Sequence, residues 1–363
     1  MDHLRRIGAL RRKLNRAGLQ GLLITHLPDV RYLCGFTGSS AALAVTRYKA
    51  RLFTDGRYKT QAAEETQGAQ VEIAAGSPAT AAVQWLGAQP GVLKAGFDPV
   101  TTTVAELGRL KEALPGRLRR SLLAVVEEPL VLPLRQIKDE EELGILREAA
   151  LVGCRLFEHI LTVLRPGLAE FEVAAELEHK ARLLGAEGMS FETIVASGPR
   201  SALPHGRATR NPLPRRGFVT MDFGIILKGY CSDMTRTVFL GSPKREERSA
   251  YQAVLEAQES AVRAVREGAI CGDVDEAARG VLRREGLADA FTHSTGHGVG
   301  LEIHEPPRVG AAQDSRLAAG MVITIEPGIY LPGKFGIRIE DMVHVTRTGG
   351  EILTPATKAF IEL

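Results

Sequence analysis

The sequence predicts two domains of different class: an α/β domain with a mixed sheet over residues 1–132, and an α+β domain over residues 133–363. Three observations carry this. Short apolar strand patterns alternate with helical ones up to about residue 126. Glu128, Pro129 and Pro133 then break the pattern, and an acidic run at 139–142 (DEEE) opens a long amphipathic stripe. Beyond it, helices and strand pairs come in blocks instead of alternating.

In the first domain, Leu4, Ile7, Leu10 and Leu14 recur at helical spacing over residues 2–17, and Gly18 ends that helix. Residues 21–25 (GLLIT) read as a buried strand. Residues 30–36, 41–46 and 51–54 read as further short strands between glycines and serines. Residues 57–66, 79–88 and 104–114 carry helical patterns; 71–74, 94–97 and 122–126 carry strand patterns. In the second domain, Leu143, Leu146, Ala150, Cys154, Phe157 and Leu164 form one helical stripe, ended by Pro166 and Gly167. Helices follow at about 170–184, 244–267 and 274–285; the remainder is strands and loops.

The stretch at 219–237 (VTMDFGIILKGYCSDMTRT) places Asp222 and Asp233 in an apolar run. With Lys228–Gly229 as a two-residue hairpin turn, Leu227 faces Tyr230, Asp222 faces Thr235, and Asp233 faces Gly224. The two carboxylates then share a face as diagonal neighbours, with backbones roughly 7–8 Å apart. One aspartate in an edge strand is ordinarily a surface residue. Two like charges on one apolar face repel unless something positive lies between them, and divalent metal suits that place.

Composition narrows the function classes. The 363 residues carry 46 basic and 43 acidic side chains, a net charge of +3. The short basic runs lack interleaved aromatics, so nucleic acid is not an expected partner. Four scattered cysteines form no CxxC pair, which indicates neither a zinc knuckle nor a disulfide framework. The N-terminus is an amphipathic helix and not a signal peptide, and no apolar run is long enough to span a membrane. A reduced cytoplasmic location is the expectation.

Four more stretches carry acids or histidines in apolar settings: STGHGVGLEIHE at 294–305, with His297 and His304; TIEPGIY at 324–330, with Glu326 and Tyr330; RIED at 338–341, with Arg338 and Glu340; and PHG at 204–206, with His205. A lone His or Glu is more often structural than functional. Their co-occurrence shifts the balance. The glycines beside His297 would let backbone approach a ligand. MDFG and IEPG each open a strand pair with a second acid further on, a faint internal symmetry. Carboxylates with a single imidazole suit Mn²⁺, Co²⁺, Zn²⁺ or Fe²⁺, one ion or a pair.

With these motifs the second domain resembles the pita-bread metallopeptidases: methionine aminopeptidase, aminopeptidase P and prolidase. The order Asp222, Asp233, His297, Glu326, Glu340 matches that family's five metal ligands. RYLCGFTGSSAALAVT followed by LFTDGRY resembles the creatinase-type N-terminal domain of Xaa-Pro peptidases. The resemblance implies a dinuclear site, with Mn²⁺ the first choice, and hydrolysis of Xaa-Pro bonds in proline-containing peptides by a hydroxide between the ions. Asp233 and Glu340 would bridge the ions, and Glu326 would also shuttle protons. His304 and His205 would hold the substrate carbonyl and oxyanion. His293 would line the proline pocket, with Arg338 and Tyr330 supporting substrate and site. The family also implies a homodimer. The GFTGSS segment favours aminopeptidase P, with an Xaa-Pro dipeptidase as the alternative. A non-catalytic peptide-binding relative would have lost ligands, and all five are present.

Overall fold

A computed structural model describes residues 1–363, which divide into two compact units, Met1–Arg135 and Gln136–Leu363. In the first unit, strands β1 (Gly21–Ile24), β2 (Ala41–Thr46), β3 (Ala50–Thr54), β4 (Gln70–Ile73), β5 (Ala95–Phe97) and β6 (Leu123–Val125) form one mixed sheet in the order β4-β3-β2-β1-β5-β6. β1, β2 and β3 pair antiparallel; the outer pairings are parallel. The helices are α1 (His3–Arg16), α2 (Leu27–Cys34), α3 (Lys59–Glu65), α4 (Pro78–Ala88), α5 (Val104–Glu112) and the short α6 (Leu132–Arg135).

Two sequence expectations fail here. Residues 30–36 are not a strand but belong largely to α2. Pro28 sits in that helix's first turn, where its missing N–H is harmless, and Gly35 closes it at φ 85°. Its buried Val30, Leu33 and Cys34 have helical spacing, which the strand-like composition concealed. In α1, Leu4 is exposed, while Ile7, Leu10 and Leu14 are buried together with His3 and Arg6.

The second unit runs twice through one order: two helices, then an interrupted hairpin. The first pass has α7 (Glu140–Leu161) and α8 (Glu170–Leu183), then β7 (Gly188–Met189), β8 (Ile194–Ser197), β9 (Gly217–Phe223), β10 (Ile225–Leu227), β11 (Tyr230–Cys231) and β12 (Met234–Leu240). The second has α9 (Arg245–Ala264) and α10 (Cys271–Arg284), then β13 (Gly296–Gly298), β14 (Glu305–Val309), β15 (Val322–Ile325), β16 (Gly328–Leu331), β17 (Phe335–Arg338), β18 (Asp341–Val345) and β19 (Gly350–Ile352). Each pass has its own core. Leu156, Phe157 and Leu177 pack on Met221, Phe223 and Val238; Val254, Ala257 and Val274 pack on Ile323, Ile325 and Val343. Asp139 caps α7 in a reciprocal box with Glu142, an arrangement that contributes about 1 kcal/mol.

The first hairpin keeps the predicted register. Leu227 faces Tyr230 and Asp222 faces Thr235, with Lys228 (φ 47°) and Gly229 (φ 78°) both left-handed at the turn. The ladder breaks between β9 and β10, where a Cβ on Gly224 would stand 1.8 Å from the Ser232 carbonyl oxygen. The second hairpin breaks in the same way. Ile325 faces Asp341 and Gly328 faces Arg338, with Pro327, which has no N–H, at the gap. Each break frees an acid from its ladder.

Candidate active site

The breaks place Asp222 and Asp233 from one hairpin beside Glu326 and Glu340 from the other. The hairpins are stitched by backbone: the Glu340 N–H donates to the Thr235 carbonyl (3.1 Å), and the Thr237 hydroxyl bonds both N–H and carbonyl of Arg338 (3.2 and 2.8 Å). The Glu326 N–H turns outward to the Thr295 carbonyl (2.7 Å), which ties it to the segment bearing His297.

His297 enters on β13. Its Nδ1 bonds the Gly298 carbonyl at 2.9 Å, which places the proton on Nδ1 and leaves Nε2 as a lone pair. That Nε2 stands 3.6 Å from Asp233 Oδ2 and 3.5 Å from Glu326 Oε1. Ligating atoms of Asp233, His297 and Glu340 all fall within 4.8 Å of one another. The flanking glycines are required by strand packing. A Cβ on Gly296 would meet the Thr324 carbonyl oxygen at 1.9 Å, and one on Gly298 the Pro306 carbonyl oxygen at 2.4 Å.

Arg338 is the buried cation of the site. Its Nη2 bonds Asp222 Oδ2 at 2.6 Å, its Nη1 the Tyr330 hydroxyl at 2.7 Å and the Pro204 carbonyl at 3.0 Å, and its Nε the Thr235 hydroxyl at 3.1 Å. The Thr235 hydroxyl donates to Glu340 at 2.7 Å, and Thr324 supports Glu326 at 3.4 Å. Neither threonine was singled out by sequence, although the hairpin register set Thr235 opposite Asp222. The Tyr330 hydroxyl also meets His293 Nε2 at 2.8 Å, and His293 Nδ1 bonds the Ser294 carbonyl at 2.8 Å. Burial lowers His293 and His297 to about 4, so both are neutral at neutral pH.

The electrostatics separate two adjacent acids. Burial pushes Asp341 up, but Arg236 and Lys358 bond it at 2.8 and 2.7 Å and hold it below the ordinary carboxylate range. Asp233 and Glu340 are raised well above theirs, first by burial and then by the neighbouring carboxylates. Glu326 is raised to about 8, chiefly by burial. Four acids thus face one guanidinium, and the buried Asp222 Oδ1 has no hydrogen-bond partner. An all-oxygen set with one imidazole lone pair and a surplus of negative charge fits divalent cations of the Mn²⁺ to Zn²⁺ series, and the charge has room for two.

A pH dependence follows. The three raised acids are protonated in the metal-free fold at pH values where the unfolded chain has released those protons. Folding then takes up protons, so stability falls as pH rises through about 8 for Glu326, and in the same direction for Asp233 and Glu340, with a slope of at most about 1.4 kcal/mol per pH unit per group. Chelated protein should lose melting temperature across that window, whereas protein saturated with Mn²⁺ should not. Parallel profiles would mean that cations do not occupy these carboxylates.

A cavity of about 920 Å³ opens over the acids, and its wall includes His205, His293, His304 and Arg338. The His304 ring lies edge-on to His297 with centroids 4.4 Å apart. Tyr330 reaches this site through Arg338 and His293. Phe191, Ile194, Ile303 and Arg308 also line the cavity and carried no motif that sequence could flag.

Comparison with known proteins places this geometry in a family. Residues 144–347 match metallopeptidase family M24, and residues 6–136 match the creatinase/prolidase N-terminal domain. The chain is 39% identical to the uncharacterized peptidase YqhT of Bacillus subtilis over 354 residues, 98% of this chain and 99% of the relative. A solved Xaa-Pro dipeptidase from Bacillus anthracis is 40% identical, covers 100% of both chains and superposes with a TM-score of 0.95. An X-Pro aminopeptidase from Thermotoga maritima is 34% identical over 97% of this chain and 100% of its own, with a TM-score of 0.89. The chain therefore belongs to metallopeptidase family M24 and joins a creatinase-type N-terminal domain to a pita-bread peptidase domain.

Proposed function

We propose that this chain is an Xaa-Pro dipeptidase, a prolidase that releases proline from dipeptides. The observation that carries this is the likeness along the whole chain to the Bacillus anthracis dipeptidase. It favours the dipeptidase over the aminopeptidase P expected from the GFTGSS segment. That segment is a short loop motif, and over the whole chain the dipeptidase is the more similar of the two, 40% identical with a TM-score of 0.95 against 34% and 0.89 for the X-Pro aminopeptidase.

A second feature supports the dipeptide over longer peptides. Arg308 on β14 faces His297 across the strand pair, lies on the cavity wall and is solvent-exposed, with no carboxylate partner. In a dipeptide the residue after the scissile bond carries the C-terminal carboxylate. A guanidinium at that end would bind it through charge-assisted hydrogen bonds, which a tripeptide's amide cannot match.

The ligand set Asp222, Asp233, His297, Glu326 and Glu340 would hold two divalent ions, with Mn²⁺ the first candidate. Such ions supply Lewis-acid polarisation of the scissile carbonyl and an activated water. The chain's own groups do the rest. Glu326 would take up a proton and pass it to the proline nitrogen, which has none of its own. Neutral His293 presents a ring face to the proline ring, with the Ser294 carbonyl fixing its tautomer and Tyr330 holding the other ring nitrogen. His304 and His205 donate to the carbonyl oxygen as charge develops there. Arg338 holds Asp222.

The test is hydrolysis of a matched pair, an Xaa-Pro dipeptide and an Xaa-Pro-Yaa tripeptide, by Mn²⁺-reconstituted protein with and without chelator. Dipeptide cleavage that chelator abolishes is expected; preferential tripeptide cleavage would restore the aminopeptidase. In the same assay, Arg308→Met should raise dipeptide KM roughly 10- to 100-fold, the equivalent of one charge-assisted hydrogen bond, and leave any tripeptide KM nearly unchanged. Equal effects on both substrates would remove Arg308 from carboxylate recognition.

A further inference from the structure

We propose that Glu170 is a positioning residue for His205; the inference rests on the catalytic role assigned to that histidine above. Glu170 opens α8, and its side chain is fully buried. One carboxylate oxygen accepts the N–H and the hydroxyl of Ser197, both at 2.9 Å. The other accepts the N–H and the hydroxyl of Thr209, at 3.2 and 2.7 Å. Arg200 Nε bridges the two oxygens at 3.3 and 3.0 Å. The backbone at the start of α8 is tied to the same strap end. The Glu170 N–H donates to Asn211 and the Phe171 N–H to Thr209, both at 3.0 Å.

Ser197 and Thr209 are the two ends of a strap, and one carboxylate closes it. Between them lie a 3₁₀ turn (Gly198–Ala202) and then Pro204, His205 and Arg207, which line the cavity. Arg200, held by Glu170, also donates to the Arg207 carbonyl at 2.8 Å, a second tie across the strap. The His205 ring makes no hydrogen bond within the protein, so its place depends on the strap's backbone. Buried carboxylates are costly unless every lone pair is used. This one spends its capacity on the two ends of a single loop and on Arg200 between them. A carboxylate that served stability alone could be satisfied anywhere in the core; this one fixes the segment that presents His205 and the Pro204 carbonyl, the latter a partner of Arg338 at 3.0 Å. It parallels the groups behind metal-ligating histidines, whose loss typically costs roughly 10- to 100-fold.

A double-mutant cycle tests this with whichever Xaa-Pro peptide the wild type hydrolyses, so failure of the dipeptidase assignment leaves the cycle intact. Glu170→Gln keeps the volume but turns an acceptor into a donor against groups that donate. It should lower kcat roughly 10- to 100-fold with Mn²⁺ stoichiometry unchanged. Combined with His205→Ala, it should cause no loss beyond that of His205→Ala alone. Combined with His304→Ala, which lies outside the strap, its effect should multiply. Multiplicative losses in the Glu170–His205 pair would overturn the inference, and so would a fully active His205→Ala variant, which would also end the catalytic role of His205. If Glu170→Gln does not fold, Thr209→Val, which removes one donor to Glu170 and the acceptor of the Asn211 N–H, is read through the same cycle.

Discussion

Asp233→Ala should abolish turnover and Mn²⁺ binding together. The carboxylate lies among Glu340, His297 and Glu326 with no cation of its own in ion-pair contact, so its removal takes a donor from the centre of the set. A loss of at least about 10³-fold in kcat/KM is expected, since groups that merely orient metal ligands already give roughly 10- to 100-fold. The sign of the stability change is the sharper test. In the metal-free protein, Asp233 is one of several buried acids that raise each other's pKa. Its removal relieves repulsion, so chelated Asp233→Ala should be at least as stable to urea as the chelated wild type. Asp341→Ala, in contrast, leaves Arg236 and Lys358 facing a void and should cost about 3–5 kcal/mol with or without metal. If both variants destabilise the chelated protein alike, Asp233 is a structural acid.

Arg338→Met should destabilise the metal-free protein by about 3–5 kcal/mol, because it leaves the buried Asp222 carboxylate unpaired. It also strips partners from the Thr235 and Tyr330 hydroxyls. Saturating Mn²⁺ should return part of that loss: a cation on Asp222 replaces the missing positive charge, and ligand at about 100 times its Kd contributes about 2.7 kcal/mol. Arg338→Lys should fall between, since an ammonium supplies the charge without the fork that reaches Asp222, Tyr330 and Pro204 together. Urea unfolding of the three proteins in chelator and in Mn²⁺ measures this. An unfolding midpoint for Arg338→Met that Mn²⁺ leaves unmoved would mean that Arg338 does not share Asp222 with a metal.

The motifs fixed more of this site than periodicity did. The Asp222–Asp233 hairpin was legible because a two-residue turn at Lys228–Gly229 leaves one register, and the structure keeps it through the break at Gly224. His205, His297, His304, Glu326, Arg338 and Glu340 stood in recognisable motifs, His293 followed from the family resemblance, and all line one cavity with the two aspartates. Residues 30–36 were misread because Val, Tyr, Leu and Cys suit a strand as well as a helix over so short a run, and the deciding signals, Pro28 and Gly35, lie at its ends. The glycines around His297 also meet a packing need that local sequence does not show. Their need is set by the carbonyls of β14 and β15, which lie far away in sequence.

By itself the sequence determined the two domain classes, the pairing within the first hairpin and the residue types able to hold divalent metal, because these depend on local periodicity, turn chemistry and side-chain identity. Only the tertiary structure decided which acids are compensated and which are not. Glu340 and Asp341 are neighbours in the chain, yet one turns toward three other carboxylates and the other toward Arg236 and Lys358. It alone placed Arg338 on Asp222 and Glu170 beneath the His205 strap. Those contacts join residues more than a hundred positions apart in one case and across a loop in the other. Burial and charge balance are properties of packing, and no spacing along one strand or helix encodes them.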